Sequence, residues 1–203
     1  MDNFQEIQGY FTESIRVKRE VAKHLVRDID AVARVMAAAL KGKKKILFFG
    51  NGGSAADSQH LAAEFIGRFR VERGPLPAIA LTTDSSILTA IGNDFGYDQV
   101  FVRQIRGLGM TGDIAIGIST SGNSENVIKG LEAAKEMGLI TVGMTGGDGG
   151  KMGPIVEHHL NVSATKTTAH IQESHITIGH IIMELVDQAL GLAIPKVSRE
   201  INV

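Results

Sequence analysis

Apolar and polar positions alternate with two different periods along the chain, and the change between the periods separates helices from strands. Over residues 4–41, apolar side chains recur every three or four positions, from Ile7 to Met36, and Gly42 closes the run. This period is that of an amphipathic helix. The pattern therefore predicts a pair of N-terminal helices, and their broad apolar faces predict a subunit interface as well as contact with the rest of the fold.

Beyond Gly42, short apolar runs bounded by glycine or small polar residues predict strands, and helical patterns separate them. The strands are predicted at residues 46–49, 77–81, 113–118, 140–145 and 159–162. Strands that alternate with helices indicate a parallel sheet whose ligands bind at the carboxyl ends of the strands. The prediction is an α/β fold with one domain, a central parallel sheet flanked by helices over residues 43–203 and an N-terminal helical extension over residues 1–42.

The first predicted strand runs into a glycine turn and then a helix. The turn contains Asn51, Gly52 and Gly53, and glycine lets backbone N–H groups approach a ligand closely. Ser54 is the predicted N-cap of the helix. On that helix His60 and Glu64 are four residues apart, so they share one face and can act on one ligand or metal. A solvated or partly buried helical pair is the alternative interpretation.

The third predicted strand ends in Ser119-Thr120-Ser121-Gly122-Asn123-Ser124, again just before a helix. Hydroxyl groups and backbone amides at a helix N-terminus suit a phosphate monoester. One such turn alone fits an ordinary loop with a capping serine, but two turns at strand ends of one sheet favour function. No GxGxxG follows a predicted strand and no GxxxxGK[ST] is present, so the sequence indicates a phosphate and not a nucleotide.

Two further segments carry candidate site residues. A short helix through Ile91 is predicted to end in a polar turn, residues 92–96, whose Asn93 and Asp94 project toward a site. The long helix predicted over residues 169–190 is mostly apolar but carries Gln172 and His180. Eight residues place these two roughly 80° apart around the axis and about 12 Å apart along it. With His60 and Glu64 they form a nitrogen and oxygen set that suits zinc, although the spacing alone does not establish a metal site.

Composition narrows the partners. The 203 residues carry a net charge of -1, so no overall basic field draws the protein to nucleic acid or to an anionic membrane. The absence of cysteine excludes disulfides and thiolate metal sites. The N-terminus lacks the features of a signal peptide, and no apolar run reaches the roughly 20 residues that span a bilayer, so a cytoplasmic location is expected.

Several motifs in one order resemble a known family. They are GNGGS at residues 50–54 with the downstream histidine and glutamate, GND at residues 92–94, STSGNS at residues 119–124, and IQESH at residues 171–175 with a later histidine. Together they resemble the phosphoheptose isomerases of the sugar isomerase (SIS) family, and the resemblance covers nearly the whole chain.

The resemblance implies an aldose-ketose isomerase that converts sedoheptulose 7-phosphate into D-glycero-D-manno-heptose 7-phosphate for the heptose of bacterial lipopolysaccharide. It also implies a homotetramer with active sites between subunits and one zinc ion per subunit. Glu64 and His180 would transfer protons during enediol formation. The implied phosphate ligands are Ser119, Thr120, Ser121 and Ser124; the implied sugar ligands are Asn51, Gly52, Gly53, Glu64, Asn93, Asp94 and Gln172; the implied zinc ligands are His60, Glu64, Gln172 and His180.

Two alternatives stay open at this point. Residues 164–170 read ATKTTAH where the relatives often carry an aspartate and an arginine, so a related phosphosugar is a second candidate substrate. The same family includes a non-catalytic protein that binds the replication initiator DnaA, and residues 11–15 resemble it. Such relatives lack the residues that correspond to Glu64 and His180. This chain keeps both, which favours catalysis.

Overall fold

The structure is a computed structural model that describes residues 3–192. Residues 193–203, the end of the sheet domain predicted over residues 43–203, lie outside this range. In chain order the elements are α1 (Asn3–His24), α2 (Val26–Lys41), β1 (Ile46–Gly50), α3 (Gly53–Ile66), β2 (Ala78–Ala80), α4 (Ser85–Phe95), α5 (Val100–Leu108), β3 (Ile114–Ile118), α6 (Glu125–Glu136), β4 (Ile140–Gly146), β5 (His158–Val162) and α7 (Thr168–Ala189), with short 3-10 helices at Tyr97–Gln99 and Gly150–Ile155.

The five strands form one parallel sheet in the order β2-β1-β3-β4-β5. In the register of the central strands, Gly50 lies opposite Ile118, and Ile118 lies opposite Met144. The carboxyl ends of β1 and β3 therefore coincide, and the turns that follow them meet at one edge of the sheet. The predicted α/β architecture with a central parallel sheet and N-terminal helices is confirmed.

Helices cover both faces of the sheet, because successive side chains of a strand point to opposite faces. Phe48 packs in the apolar cluster that β1 shares with α2, α3 and α7, whereas Phe49 packs in the opposite cluster with α5 and α6. All five residues of β1 and of β3 are buried, as expected for central parallel strands. The first face carries the helices that hold His60 and His180. Within residues 3–192 no helix is long and apolar enough to cross a membrane.

The predicted N-cap of α3 was wrong. The helix begins at Gly53, with Gly52 in the N-cap position at a φ of 54°. Ser54 lies buried in the first turn, where its backbone N–H donates to the carbonyl oxygen of Asn51. The helix starts two residues earlier than expected because glycine adopts this positive φ at little cost.

The predicted polar turn at residues 92–96 was also wrong. Helix α4 does not end at Ile91 but continues to Phe95, and it stops where Gly96 adopts a φ of 93°. Asn93 and Asp94 therefore lie in the last turn of the helix. Gly92 is tolerated inside the helix, since a single glycine costs only about 1 kcal/mol relative to alanine.

His175, on α7, gives the fold a predicted sensitivity to acid. Its ring is buried and its Nε2 donates to the carbonyl oxygen of Thr145 at 2.9 Å. Burial lowers the pKa of His175 to about 4, although this hydrogen bond acts in the opposite direction. The unfolded chain takes up the proton near pH 6.5, so the stabilisation is complete above that pH and is lost as the pH falls toward 4.

We expect the free energy of unfolding to fall by about 3 kcal/mol from this residue between pH 7 and pH 4. Urea unfolding at several pH values checks this, with His175→Gln as the control that cannot titrate. Wild-type and variant stabilities that run parallel across this pH range would contradict the prediction.

Candidate active site

The turns after β1 and β3 are fastened to one another. Asn51 and Asn126 exchange two side-chain amide hydrogen bonds, of 2.8 and 2.9 Å. Gly50 lies so close to β3 that a Cβ added there would come within 2.7 Å of the Ile118 carbonyl oxygen. The two turns that sequence patterns indicated as ligand sites thus form one continuous edge.

The second turn has the features of an anion site. The hydroxyl oxygens of Ser119 and Ser124 lie 2.9 Å apart and share a hydrogen bond. Ser124 occupies the N-cap of α6, yet its side chain makes no capping bond to that helix. Ser121 is exposed and Thr120 half-buried. Hydroxyl groups beside the N-terminus of a helix favour a bound anion.

A second loop supports this turn from behind. The N–H of Met152 donates to the carbonyl oxygen of Gly122, and the N–H of Lys151 donates to the side chain of Asn123. Gly122 has a φ of 65°, and a Cβ there would overlap the carbonyl oxygen of Gly149. The backbone of the turn is therefore fixed by contacts that only glycine permits.

His60, Glu64 and His180 converge where α3 meets α7. The Nε2 atoms of the two histidines are 2.9 Å apart, and the carboxylate of Glu64 lies 3.7 Å from Nε2 of His60. At that separation one ring donates its N–H to the lone pair of the other, so the two Nε2 atoms share one proton. The His60 side chain is 47% exposed and that of Glu64 27%, so both are accessible to a ligand.

The environment of His180 favours the neutral form of its imidazole. Burial lowers its pKa, and the neighbouring His60 lowers it further, while the carboxylate of Glu64 opposes both effects. A neutral imidazole retains a lone pair for a proton or a cation. The ring of Phe69 stacks against the same imidazole at a centroid distance of 5.1 Å.

Gln172 and His180 contact different turns of α3. The side chain of Gln172 packs against Gly53, whereas His180 meets His60. The two helices therefore run side by side in the same direction, and the pairs are separated by about 10 Å along α3. Within residues 3–192 no group of three or more His, Asp or Glu side chains is arranged to hold a metal ion. The side chains of His60, His180 and Glu64 nevertheless offer two imidazoles beside a carboxylate, which are donor groups that zinc binds.

Among the described residues, no contact places Asn93 or Asp94 beside His60, Glu64 or His180. Both are exposed, and the amide of Asn93 donates to the carboxylate of Asp94 at 2.8 Å. Their helix, α4, packs against α5 and the 3-10 helix Tyr97–Gln99.

Asp57 was missed by the sequence reasoning. Burial raises the pKa of its carboxyl, although His60 acts in the opposite direction, and its Oδ2 is buried without a hydrogen-bond partner among the residues described. It shares the face of α3 that carries Gly53, His60 and Glu64, because these positions recur at intervals of three and four. That spacing was the signal available in the sequence.

Comparison with known proteins agrees with this geometry. The family model described as SIS domain matches residues 9–146. A phosphoheptose isomerase from Aquifex aeolicus is 52% identical over 184 residues, which cover 91% of this chain and 96% of the relative.

Solved structures give the same result. The phosphoheptose isomerase from Neisseria gonorrhoeae is 46% identical with a TM-score of 0.86, covering 91% of this chain and 98% of its own. The one from Francisella tularensis is 37% identical with a TM-score of 0.89, covering 93% of this chain and 100% of its own. The resemblance to this family is thus confirmed, and the chain is an isomerase that belongs to the phosphoheptose isomerase family of SIS-domain proteins.

Proposed function

We propose that the protein interconverts sedoheptulose 7-phosphate and D-glycero-D-manno-heptose 7-phosphate, the latter for the heptose of bacterial surface polysaccharides. The observation that carries this proposal is the convergence of His60, Glu64 and His180 between α3 and α7, on a domain whose turn at residues 119–124 suits a phosphate. Proton-transfer groups together with an anion site are what an aldose-ketose isomerase of a sugar phosphate requires.

Glu64 and His180 divide the proton transfers. A carboxylate takes the proton from C1 of the ketose while a proton is delivered to the C2 carbonyl oxygen, which gives the enediol. Return of a proton to C2 and removal of the proton from the C1 hydroxyl then leave the carbonyl at C1. The number of protons is unchanged over the cycle. A neutral His180 beside the shared proton of His60 is suited to exchange protons with the oxygens.

The substrate phosphate is assigned to Ser119, Thr120, Ser121 and Ser124 at the N-terminus of α6. The polar groups of the sugar are assigned to Asn51, Gly52, Gly53 and Gln172, which adjoin the same edge. The packing of Gln172 against Gly53 supports a common binding surface. Asn93 and Asp94 are also assigned to the sugar.

We include one zinc ion per subunit in the proposal, held by His60, Glu64, Gln172 and His180. Zinc would polarise the carbonyl and stabilise the negative charge that develops on the enediol oxygens. The pair of imidazole nitrogens beside a carboxylate supports His60, Glu64 and His180 as ligands, and Gln172 is included because the family resemblance implies it.

We also propose a homotetramer with active sites between subunits. Helix α1 buries only Ser14 and Val17, whereas its apolar Ile7, Phe11 and Ile15 are half or more exposed. Helix α4, which carries Asn93 and Asp94, buries none of its residues in the single chain. Apolar faces of this extent usually mark contacts between proteins.

The direct test is incubation of the purified protein with sedoheptulose 7-phosphate and measurement of the aldose by NMR. We expect conversion with zinc supplied, loss of conversion after chelation, and recovery when zinc is returned. Parallel incubations with other ketose phosphates test the alternative that the substrate is a related phosphosugar, which the sequence of residues 164–170 raised. No conversion of sedoheptulose 7-phosphate in the presence of zinc would refute the proposed reaction.

A further inference from the structure

The segment that follows α3 lies along α7 through three of its side chains. The ring of Phe69 stacks on the imidazole of His180, with a centroid distance of 5.1 Å and an interplanar angle of 21°. Nη1 of Arg70 donates to Glu184 at 2.8 Å, and Nε of Arg73 donates to Asp187 at 2.9 Å. We refer to residues 69–73 as the strap.

The contacts of the strap follow one face of α7. Its partners, His180, Glu184 and Asp187, are spaced by four and then three residues, which places them in a row along the helix. The strap therefore begins at the histidine of the candidate active site and continues away from it for about two turns. One face of the His180 ring is covered by Phe69, and its Nε2 atom meets His60. The ring is thus held in position from two directions.

Arg73 joins this row to the helix that carries Glu64. Its side chain is 3% exposed, and that of Asp187 is 1% exposed. Besides the bond to Asp187, the guanidinium donates to the backbone carbonyl oxygens of Glu64 and Phe65 at the end of α3, at 3.0 and 2.9 Å. Because a planar guanidinium has five donors in a rigid arrangement, one side chain fixes the spacing between α3 and α7.

We propose that the strap is a positioning element for the isomerase reaction, in which Phe69 sets the orientation of the His180 ring and Arg73 sets the distance between Glu64 and His180. The inference rests on the proposed function, since it needs these two groups to transfer protons. Phe69 and Arg73 are positioning residues that act through His180 and Glu64. A strap that served stability alone would leave kcat unchanged in variants that remain folded.

The decisive variant is Phe69→Leu, which removes the aromatic ring and keeps most of the apolar volume. We expect kcat to fall by about tenfold to a hundredfold, as for other small misplacements of catalytic groups, with KM changed by less than about threefold. Phe69→Tyr keeps the ring and should restore kcat. Phe101→Leu is the matched control, because Phe101 is buried against Phe49 on the opposite face of the sheet and should lose stability without loss of kcat.

The ring of His180 provides a readout that does not depend on activity. In a proton–carbon NMR spectrum, its Hε1 signal is assigned by its disappearance in His180→Gln. Loss of the neighbouring aromatic ring current should move this signal in Phe69→Leu but not in Phe69→Tyr or Phe101→Leu.

The second part of the strap is tested by Arg73→Lys. This variant keeps the charge beside Asp187 but cannot donate to the carbonyl oxygens of both Glu64 and Phe65, and we expect kcat to fall while KM is retained.

Three results would overturn the inference: a wild-type kcat in Phe69→Leu, a loss of kcat no larger than in Phe101→Leu, or an unchanged His180 signal. If the wild-type protein does not isomerise the substrate, the proposed function fails and the strap has no reaction to serve. The NMR comparison then still decides whether the ring of Phe69 lies against the imidazole of His180 in solution. If Arg73→Lys does not fold, the Phe69 variants alone decide the question.

Discussion

Replacement of Glu64 by glutamine is expected to lower kcat by about 10³-fold while the fold is retained. The substitution keeps the size of the side chain and one acceptor oxygen but removes the group that accepts a proton from carbon. A positioned general base contributes about 10² to 10⁴ in rate. The backbone carbonyl oxygen of Glu64 still accepts from Arg73 in the variant, so the end of α3 remains in place.

Two measurements check this prediction. The first is kcat for sedoheptulose 7-phosphate, together with the thermal midpoint of unfolding. The second is the exchange of the C1 proton of the substrate with solvent in D₂O, which reports proton abstraction even when turnover is slow. Glu136→Gln is the matched control, because Glu136 undergoes the same chemical change on a side chain that is 67% exposed at the end of α6, outside the site and the strap. Near-normal exchange in Glu64→Gln would remove this carboxylate from the chemistry.

The edge that carries the candidate site could be predicted from the sequence, because local patterns determine it. Apolar runs followed by small polar residues located the turns after β1 and β3, and the rule that parallel strands end at one edge brought those turns together. The shared hydrogen bond between Ser119 and Ser124 lies within a single turn, so the sequence pattern of that turn already contained it.

The contact between His60 and His180 depended on packing that no local pattern encodes. These residues are 120 positions apart in the chain, and the spacing of each on its own helix fixes only a face. The relative shift of α3 and α7 decides which residues meet. Gly179 permits the close approach, since a Cβ there would come within 2.5 Å of Leu61.

The errors at Ser54 and at residues 92–96 share one cause. In both places, small polar residues and glycines were interpreted as a turn or a cap, although the same residues also fit the first or last turn of a helix. What decides the helix boundary is the position of the glycine with positive φ, which is Gly52 at the start of α3 and Gly96 at the end of α4. Several glycines stand near each boundary, so composition alone did not identify the decisive one.

Gly122→Ala is expected to damage both stability and phosphate binding. An alanine at a φ of 65° is strained by about 1–3 kcal/mol. Its Cβ would in addition overlap the carbonyl oxygen of Gly149, and relief of such an overlap costs about another 1–3 kcal/mol. Because the overlapped atom is backbone, the turn that carries Ser119 and Ser124 must move, and we expect KM for the phosphosugar to rise at least about tenfold.

Gly147→Ala separates the two effects. Gly147 has nearly the same φ, 61°, but a Cβ there would meet nothing within 4 Å, so this variant carries the backbone strain without the overlap. Urea unfolding should show the larger loss of unfolding free energy in Gly122→Ala. Titration with inorganic phosphate, at a temperature well below the thermal unfolding midpoint of both variants, should show weaker binding in Gly122→Ala alone. Equal phosphate affinity in the two variants would mean that the support of this turn by the Gly149 loop does not shape the anion site. Weaker binding only in Gly122→Ala would instead tie the phosphate to the turn, because both proteins would be folded under the conditions of the titration.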